Sequence, residues 1–595
     1  MENQPAHHDI RGEHPSSVFT SAGDIAFALR TTLAGLAALY TAMWLQLDTP
    51  RWAIWTVFIV SPPVRGNALR KTAARLVGTT IGCIVGIACT GLFPQQPAGF
   101  YILFSAWLAA CAYWATLRRG YVSYAASLAA FTSAIVSAGV SGAPLNVWQA
   151  ATDRGSATVL GVLFALFASD LAARSDDVPG DLANRIRALA GDLLDWAARQ
   201  LQMGRSDEPK DAPLTARILG LDETCTNAIS ERPALNRVKS WICGMPTALL
   251  SLQSAVLSIR DPACRGGATA AGSPWITDAI DGLAVFVRSG SVLDLSMLRR
   301  QKASLAGLGQ VSSAQAPAMN DILHPLEYLL AGLEAILTLN PPETAPLCYP
   351  RPTFVVHRTY AMTNLVRTVV AVLWGFLIWD ATAWSHGPVF MVNIAIAAVI
   401  FVTLDDPVFA NLANIVGTTA GCLVGLAAKY FILIRENDPL NLLIVLFPLM
   451  FIGAWIETKG KLAPFGVFFV IGVLILIEPK NPQEYDFVHD VNTMIAIEFA
   501  YGFVSLVFLA IGAPRRGTER ITELLARMRQ HRREVRVCLS RQERLSWETW
   551  MYDELQRLQA VTKDPRHRRH GVNLLLSGLK ACPPLASAPA GLDRN

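Results

Sequence analysis

Arg30 and Arg367 each lie inside a long apolar stretch, and each is followed by a threonine (Arg30-Thr31, Arg367-Thr368). An arginine within a membrane span costs about 2.5–3.5 kcal/mol on insertion scales unless it meets water, a partner or a substrate. The planar guanidinium presents paired N–H groups that match a carboxylate, so the chemistry offered is substrate binding of a small organic anion. The alternative is that each arginine snorkels from the end of its span or pairs with an acid such as Asp24. Tryptophans cluster at a similar level, Trp44, Trp52 and Trp55 early and Trp374, Trp379 and Trp384 late. Most suit an interfacial belt, whereas Trp52 and Trp55 are the two placed to stack on an aromatic substrate. Glu498, between Ile497 and Phe499, is the clearest carboxylate inside an apolar run and a proton-coupling candidate. Asp153 is the second, unless it and Arg154 neutralise each other as a structural pair. Asp48 and Asp380 flank their spans and read as solvated.

Other chemistries find no support. No Gly-Lys-Ser/Thr phosphate loop occurs, which leaves ATP drive without a basis. His7-His8 and His567 lack zinc spacing, and none of the ten cysteines forms a Cys-x-x-Cys pair. We therefore expect no enzyme, no metal and no cofactor. A net charge of +5, with the basic residues beside apolar segments, points to orientation in a lipid bilayer and not to nucleic acid.

The elements that must hold these side chains follow from hydropathy. The 595 residues are 52% hydrophobic and only 16% charged, against roughly a quarter charged in soluble domains. Spans of about 20 apolar residues are needed to cross the bilayer. They are expected near 25–45, 52–64, 76–93, 100–117, 121–140 and 150–171, then near 359–379, 387–404, 412–434, 440–456, 462–478 and 491–511. The second is short and closes on Pro62-Pro63, so it reads either as a crossing or as a broken, re-entrant helix. Arg65, Arg70, Lys71 and Arg75, then Arg118-Arg119, then Arg174 make alternate loops basic, and Arg515, Arg516 and Arg520 follow the last span. This places both termini in the cytoplasm.

The predicted fold is an all-α polytopic membrane protein with helical cytoplasmic domains. Its parts are an N-terminus (1–23), transmembrane unit 1 (24–172), a helical cytoplasmic domain (173–357, ending at Pro341-Pro342, Pro346 and Pro350-Arg-Pro352), transmembrane unit 2 (358–512) and a C-terminal segment (513–595). In that segment Leu524, Met528, Val535 and Leu539 fall at helical spacing, which favours packing on the protein's own domain over a helix lying on the membrane.

The two membrane units read as copies. Val77-Gly-Thr-Thr-Ile-Gly-Cys-Ile-Val-Gly-Ile-Ala88 and Val416-Gly-Thr-Thr-Ala-Gly-Cys-Leu-Val-Gly-Leu-Ala427 align without a gap. An even number of spans in each copy gives both the same orientation, about an axis along the membrane normal. Gly78, Gly82 and Gly86, like Gly417, Gly421 and Gly425, recur every four residues and make a bare stripe for helix packing. The copies differ where Ala410-Asn-Leu-Ala-Asn414, preceded by Asp405-Asp406-Pro407, replaces the basic loop.

Pro50-Arg-Trp-Ala-Ile-Trp-Thr-Val57, Arg70-Lys71-x-x-x-Arg75 before Val77-Gly-Thr-Thr-x-Gly82, and the order membrane unit, soluble domain, membrane unit, soluble tail resemble the fusaric-acid-resistance family of bacterial membrane proteins. This family includes aromatic carboxylic acid (p-hydroxybenzoate) efflux pump subunits and is distantly similar to plant malate channels. The resemblance spans nearly the whole chain. It implies an inner-membrane exporter of small, often aromatic, carboxylic acids or related toxic compounds, working with a periplasmic adaptor and an outer-membrane channel and forming a homodimer. The alternatives are a passive anion channel and a non-transporting scaffold. With the cytoplasm negative, an exported monoanion gains about 2.3 kcal/mol per 100 mV, roughly a fifty-fold concentration ratio, without any proton.

Overall fold

The structure, a computed structural model, describes residues 22–61, 65–118, 120–138, 143–171, 178–202, 212–260, 317–342, 349–352, 358–401, 407–435, 438–459, 462–480, 482–511, 518–534, 540–562 and 564–580. Expectations placed on the N-terminus before residue 22, on Pro62-Pro63, Arg119, Arg174, Pro346, Asp405-Asp406, Arg515-Arg516, Val535 and Leu539 lie outside these residues. The chain divides into two compact units, Met1–Ala173 with Val356–Pro514, and Arg174–Val355 with Arg515–Asn595. Among the described residues all regular structure is helical.

The first unit holds α1 (Ala22–Trp44), α2 (Arg51–Val60), α3 (Arg65–Leu92), α4 (Pro97–Leu117), α5 (Tyr121–Ala138) and α6 (Val147–Leu171). It continues with α11 (Arg358–Thr382), α12 (Gly387–Ile400), α13 (Pro407–Ala427), α14 (Pro439–Glu457), α15 (Ala463–Ile477) and α16 (Phe487–Ala510). Nine of these twelve have the length and hydropathy of membrane spans, while α2, α12 and α15 are shorter apolar helices. At about 1.5 Å per residue, the 10 residues of α2 extend only half the depth of the hydrocarbon core. The described part of this segment is a short helix, and its expected close at Pro62-Pro63 lies outside the described residues. Side chains such as Ile102, Phe167, Phe431 and Leu506 are exposed and apolar, as a lipid-facing surface requires.

The glycine rows decide the tightest packing. They set α3 against α5 and α13 against α15. A Cβ at Gly78 would stand 2.6 Å from the Ala125 carbonyl oxygen, one at Gly82 2.7 Å from that of Ala129, and one at Gly86 2.9 Å from Val136 Cβ. The second row meets Phe468 Cβ at 2.9 Å from Gly417, Val473 N at 2.9 Å from Gly421 and Val473 O at 2.7 Å from Gly425. Contacts between the two sets of helices are reciprocal, since α1 packs on α14 and α11 on α4, the first helix of each set against the fourth of the other.

The second unit contains α7 (Val178–Gln202), α8 (Ala212–Glu231), α9 (Lys239–Arg260), α10 (Pro317–Thr338), α17 (Thr518–Glu534), α18 (Arg541–Val561) and α19 (Pro565–Leu579). The stretch Pro233–Ser258 is apolar enough to cross a membrane, but 89% of its span is buried inside this unit, so α9 is a core helix. Leu189, Leu252 and Leu329 share one core with Leu524, Met551 and Leu575 from the far end of the chain. Ser540 and Glu543 form a reciprocal capping box that starts α18, with Ser540 N donating to Glu543 Oε2 at 2.9 Å. Arg351 fixes the unit's edge through a bidentate pair of 2.8 Å bonds to Asp222.

Inside that core Glu548 is 1% exposed. Burial pushes its carboxyl up to about 7, outweighing the attraction of Arg544, whose Nε donates to it at 3.0 Å. Between its ordinary value and about 7 the folded chain therefore holds a proton that the unfolded chain has released, and the resulting stabilisation is lost as pH rises through 7. Hydrogen exchange of α18 in the full-length protein, corrected for intrinsic rates, is expected to be faster at alkaline than at mildly acidic pH. Glu548→Gln should remove that difference.

Candidate functional site

The site begins at the entry to α2. Asp153, near the start of α6, accepts hydrogen bonds from Asp48 N at 2.8 Å, from Thr49 N at 3.1 Å and from the Thr49 hydroxyl. Backbone N–H groups ahead of a helix have no partners of their own, and here a carboxylate from another helix takes them. The expected Asp153–Arg154 ion pair does not form, because the carboxylate is spent on this turn. Gly161 lets α2 lie close on α6, where a Cβ would stand 2.6 Å from Thr56 Cβ.

This anchoring puts Trp52 beneath Arg154. The guanidinium carbon lies 3.6 Å from the ring centroid, and Trp55 meets Trp52 edge-to-face at 4.4 Å. Arg154 is 1% exposed, and its Nε, Nη1 and Nη2 are all buried without a hydrogen-bond partner among the described residues. Arg75, also 1% exposed, lies within electrostatic range of Arg154. It donates from Nη1 to the Tyr124 hydroxyl at 2.9 Å and from Nη2 to Thr56 Oγ1 at 3.0 Å, while its Nε has no partner. Arg75 is thus not a loop cation, as its place in the basic run suggested, but a buried residue well inside α3.

Two buried guanidiniums, neither in direct contact with a carboxylate among the described residues, form a positive site, with Asp153 within electrostatic range of Arg154. Leaving a buried charged group unpaired costs at least about 1–3 kcal/mol, and more in low dielectric. A carboxylate bound between Arg154 and Arg75 would supply the missing acceptors, and an aromatic ring attached to it would meet Trp52 and Trp55.

The residues singled out by sequence fall elsewhere. Arg367, 1% exposed, is occupied by the C-terminal end of α16, donating to Ile511 O at 2.7 Å, Asn364 Oδ1 at 3.0 Å and Phe508 O at 3.5 Å. It satisfies helix-end carbonyls and has little left for a substrate. Arg30 is half-buried over the Phe27 ring at 5.6 Å, and its Nε lacks a partner among the described residues. Asp24, named as a partner for it, instead accepts from Lys459 Nζ at 2.8 Å. Trp44 and Trp374 point outwards. Glu498 is half-buried beside the Thr419 side chain and within electrostatic range of Cys422.

In the second set of helices the place of Arg75, counted from the shared Val-Gly-Thr-Thr motif, is taken by Asn414. Here the hydrogen-bonded groups are amides and hydroxyls, with the Glu498 carboxyl within electrostatic range of Tyr501. Asn411 donates to Tyr501 O at 2.8 Å, Thr418 to Asn414 Oδ1 at 3.1 Å, and the Tyr501 hydroxyl to Asn393 Oδ1 at 2.8 Å. Among the described residues the first set brings two buried arginines within electrostatic range of each other, whereas the second has Asn414 in place of Arg75.

No solved structure matches this chain. Among characterised proteins it is similar to the p-hydroxybenzoic acid efflux pump subunit AaeB of Yersinia enterocolitica, 26% identical over 525 residues, covering 82% of this chain and 76% of that one. The subunit of the same name from Pectobacterium atrosepticum is 27% identical over 508 residues, covering 82% and 73%. The model of the fusaric acid resistance protein family matches residues 24–583, a range that takes in the glycine-packed helices, the two buried arginines and the core of the second unit alike. This multi-span membrane protein belongs to the fusaric acid resistance protein family.

Proposed function

We propose that the chain is a secondary exporter of small aromatic carboxylates in a bacterial inner membrane, with its soluble unit and both termini in the cytoplasm, driven by the proton-motive force. The observation that carries the reading is the unpaired Arg154 guanidinium stacked on Trp52, joined by Arg75. The similar subunits are named for p-hydroxybenzoic acid, a ring bearing a carboxylate, and such a molecule matches both halves of the site. Their name as subunits supports assembly with further components, for which a periplasmic adaptor and an outer-membrane channel are the proposal. The gap-free motif and the reciprocal packing of α1 on α14 and α11 on α4 support two copies of one unit in the same orientation. The roles of the two copies are unequal, since the first carries Arg75 where the second carries Asn414.

A passive anion channel is the rival, because the membrane voltage alone favours exit of an anion by about 2.3 kcal/mol per 100 mV. The test is export of p-hydroxybenzoate from vesicles in which the pH gradient is collapsed while the voltage is clamped. A coupled exporter slows sharply. Export that continues unchanged assigns a channel.

A further inference from the structure

α13 does not stop at Ala427. It runs on through a π-helical turn, Ala428–Ile432, and a short 3₁₀ turn, Leu433–Arg435. Widened turns of this kind interrupt the regular hydrogen-bond ladder and are frequent at functional positions. This one carries Lys429, which is 2% exposed and pairs with Asp490 in the first turn of α16, 4% exposed, at 2.6 Å. The Tyr430 hydroxyl donates to the same carboxylate at 2.9 Å. A buried ion pair is dearly held, because removing either charge strands the other.

Lys429 is also within electrostatic reach of Glu478, just past the end of α15. Glu478 has left-handed backbone, φ 43 and ψ 68, a conformation that a residue with a side chain rarely takes and that surrounding contacts must hold. Its carboxylate is gripped by Arg51 at 2.5 Å and approached by Lys480 at 3.5 Å. Arg51 is the first residue of α2, immediately before Trp52. One chain of charges therefore runs from Asp490 through Lys429 and Glu478 to the helix that carries the aromatic face of the anion site.

We propose that Asp490, Lys429, Glu478 and Arg51 form a proton-driven charge relay that controls the position of α2; it rests on the reading of Arg154, Arg75 and Trp52 as the anion site. The Asp490 carboxylate takes one proton from water and becomes neutral. Lys429 keeps its own proton, loses its partner and turns to Glu478. Glu478 then releases Arg51, and the start of α2 is freed. Loss of the proton from Asp490 reverses each exchange, so one proton is taken up and given back per cycle. The groups facing Asp490 are Lys429 and Tyr430 from the π-helical turn, and Tyr430 in turn lies within electrostatic range of Asp486 and Tyr485 on the approach to α16. His489, adjacent in α16, faces away to His386, with ring centroids 4.7 Å apart. Lys480 keeps Glu478 anionic when Arg51 leaves.

The test uses full-length protein in lipid nanodiscs without substrate. Hydrogen exchange of residues 51–60, corrected for intrinsic rate, should rise by about ten-fold when the pH is lowered from mildly alkaline to acidic. Asp490→Asn should show the fast rate at every pH, and Glu478→Gln should do so as well with the Lys429–Asp490 pair left intact. In vesicles, p-hydroxybenzoate export by Asp490→Asn should lose its response to a pH gradient. Exchange in α2 that is insensitive to pH in the unmodified protein, or an Asp490→Asn protein that keeps the pH response, overturns the relay. Should Asp490→Asn fail to fold around an unpaired Lys429, Lys429→Met/Asp490→Asn takes its place with the same expected and opposing results. Failure of p-hydroxybenzoate to bind counts against the anion site alone, since α2 exchange is read without it.

Discussion

Arg154→Met should yield a protein that is more heat-stable than the unmodified chain in the absence of ligand, yet gains no stability from p-hydroxybenzoate and no longer exports it. The reasoning has two parts. A buried cation with no acceptor weakens the fold, and replacing such groups by apolar ones of similar volume is often stabilising by about 1–4 kcal/mol. The same guanidinium, once it meets a carboxylate, gains charge-assisted hydrogen bonds worth about 1.5–3 kcal/mol, so affinity should fall roughly ten- to hundred-fold or more when it is removed. Arg154→Lys keeps the charge but loses the planar fork and the stacking surface over Trp52, and should fall between the two. Thermal unfolding in detergent with and without p-hydroxybenzoate measures both effects together. A ligand-induced shift in Arg154→Met equal to that of the unmodified protein would place the substrate elsewhere.

Gly421→Val should abolish recovery of folded protein. A Cβ there meets the Phe469 carbonyl and stands 2.9 Å from Val473 N, so the obstacle is backbone of α15 and cannot rotate away. Packing between membrane helices relies on such close approach, because lipid offers no hydrophobic incentive to join. The expected cost is several times the roughly 1–3 kcal/mol of an overpacked core position that can relax. Gly155→Ala and Gly502→Ala are the matched comparison, since nothing lies within 4 Å of a Cβ at either. These should be neutral or stabilising by up to about 1 kcal/mol, through helix propensity. Monodispersity of fluorescently tagged protein on size exclusion separates the outcomes. Equal behaviour of Gly421→Val and Gly155→Ala would show that the glycine row is not a contact.

Long apolar runs reveal spans because lipid leaves the backbone no choice but helix. The membrane helices are accordingly visible in the sequence near their observed positions, and even the brevity of α2 can be read there. α9 is the instructive exception. Its composition is that of a span, yet the surrounding helices of the second unit cover its apolar face.

The site was much less legible. Arg154 follows Asp153 directly, which suggests a neutralised pair, but consecutive residues on a helix project about 100° apart and do not face one another. Asp153 turns to the Asp48-Thr49 backbone and Arg154 to Trp52. Arg75 ends a basic run that looks like an orienting loop, and only the start of α3 at Arg65 moves it inside a helix. Arg30 and Arg367 look equivalent in sequence, yet what an arginine does depends on which helix ends lie within its reach. For Arg367 these are the last carbonyls of α16. Of the residues chosen from sequence for substrate contact, Trp52 and Trp55 are the ones found beside the buried cations.

The core of the second unit draws Leu189, Leu252 and Leu329 from the middle of the chain and Leu524, Met551 and Leu575 from its end, with Ser254 Oγ donating to the Tyr552 hydroxyl at 3.1 Å. A ribosome delivers the first group before α11 to α16 exist and the second only after they have been made. Until then the apolar faces of α7 to α10 lack part of their cover, as they would in any chain cut short within the last six membrane helices. Closure of this core thus waits until the C-terminal helices have been made, and a chain cut short before them leaves apolar helix faces uncovered.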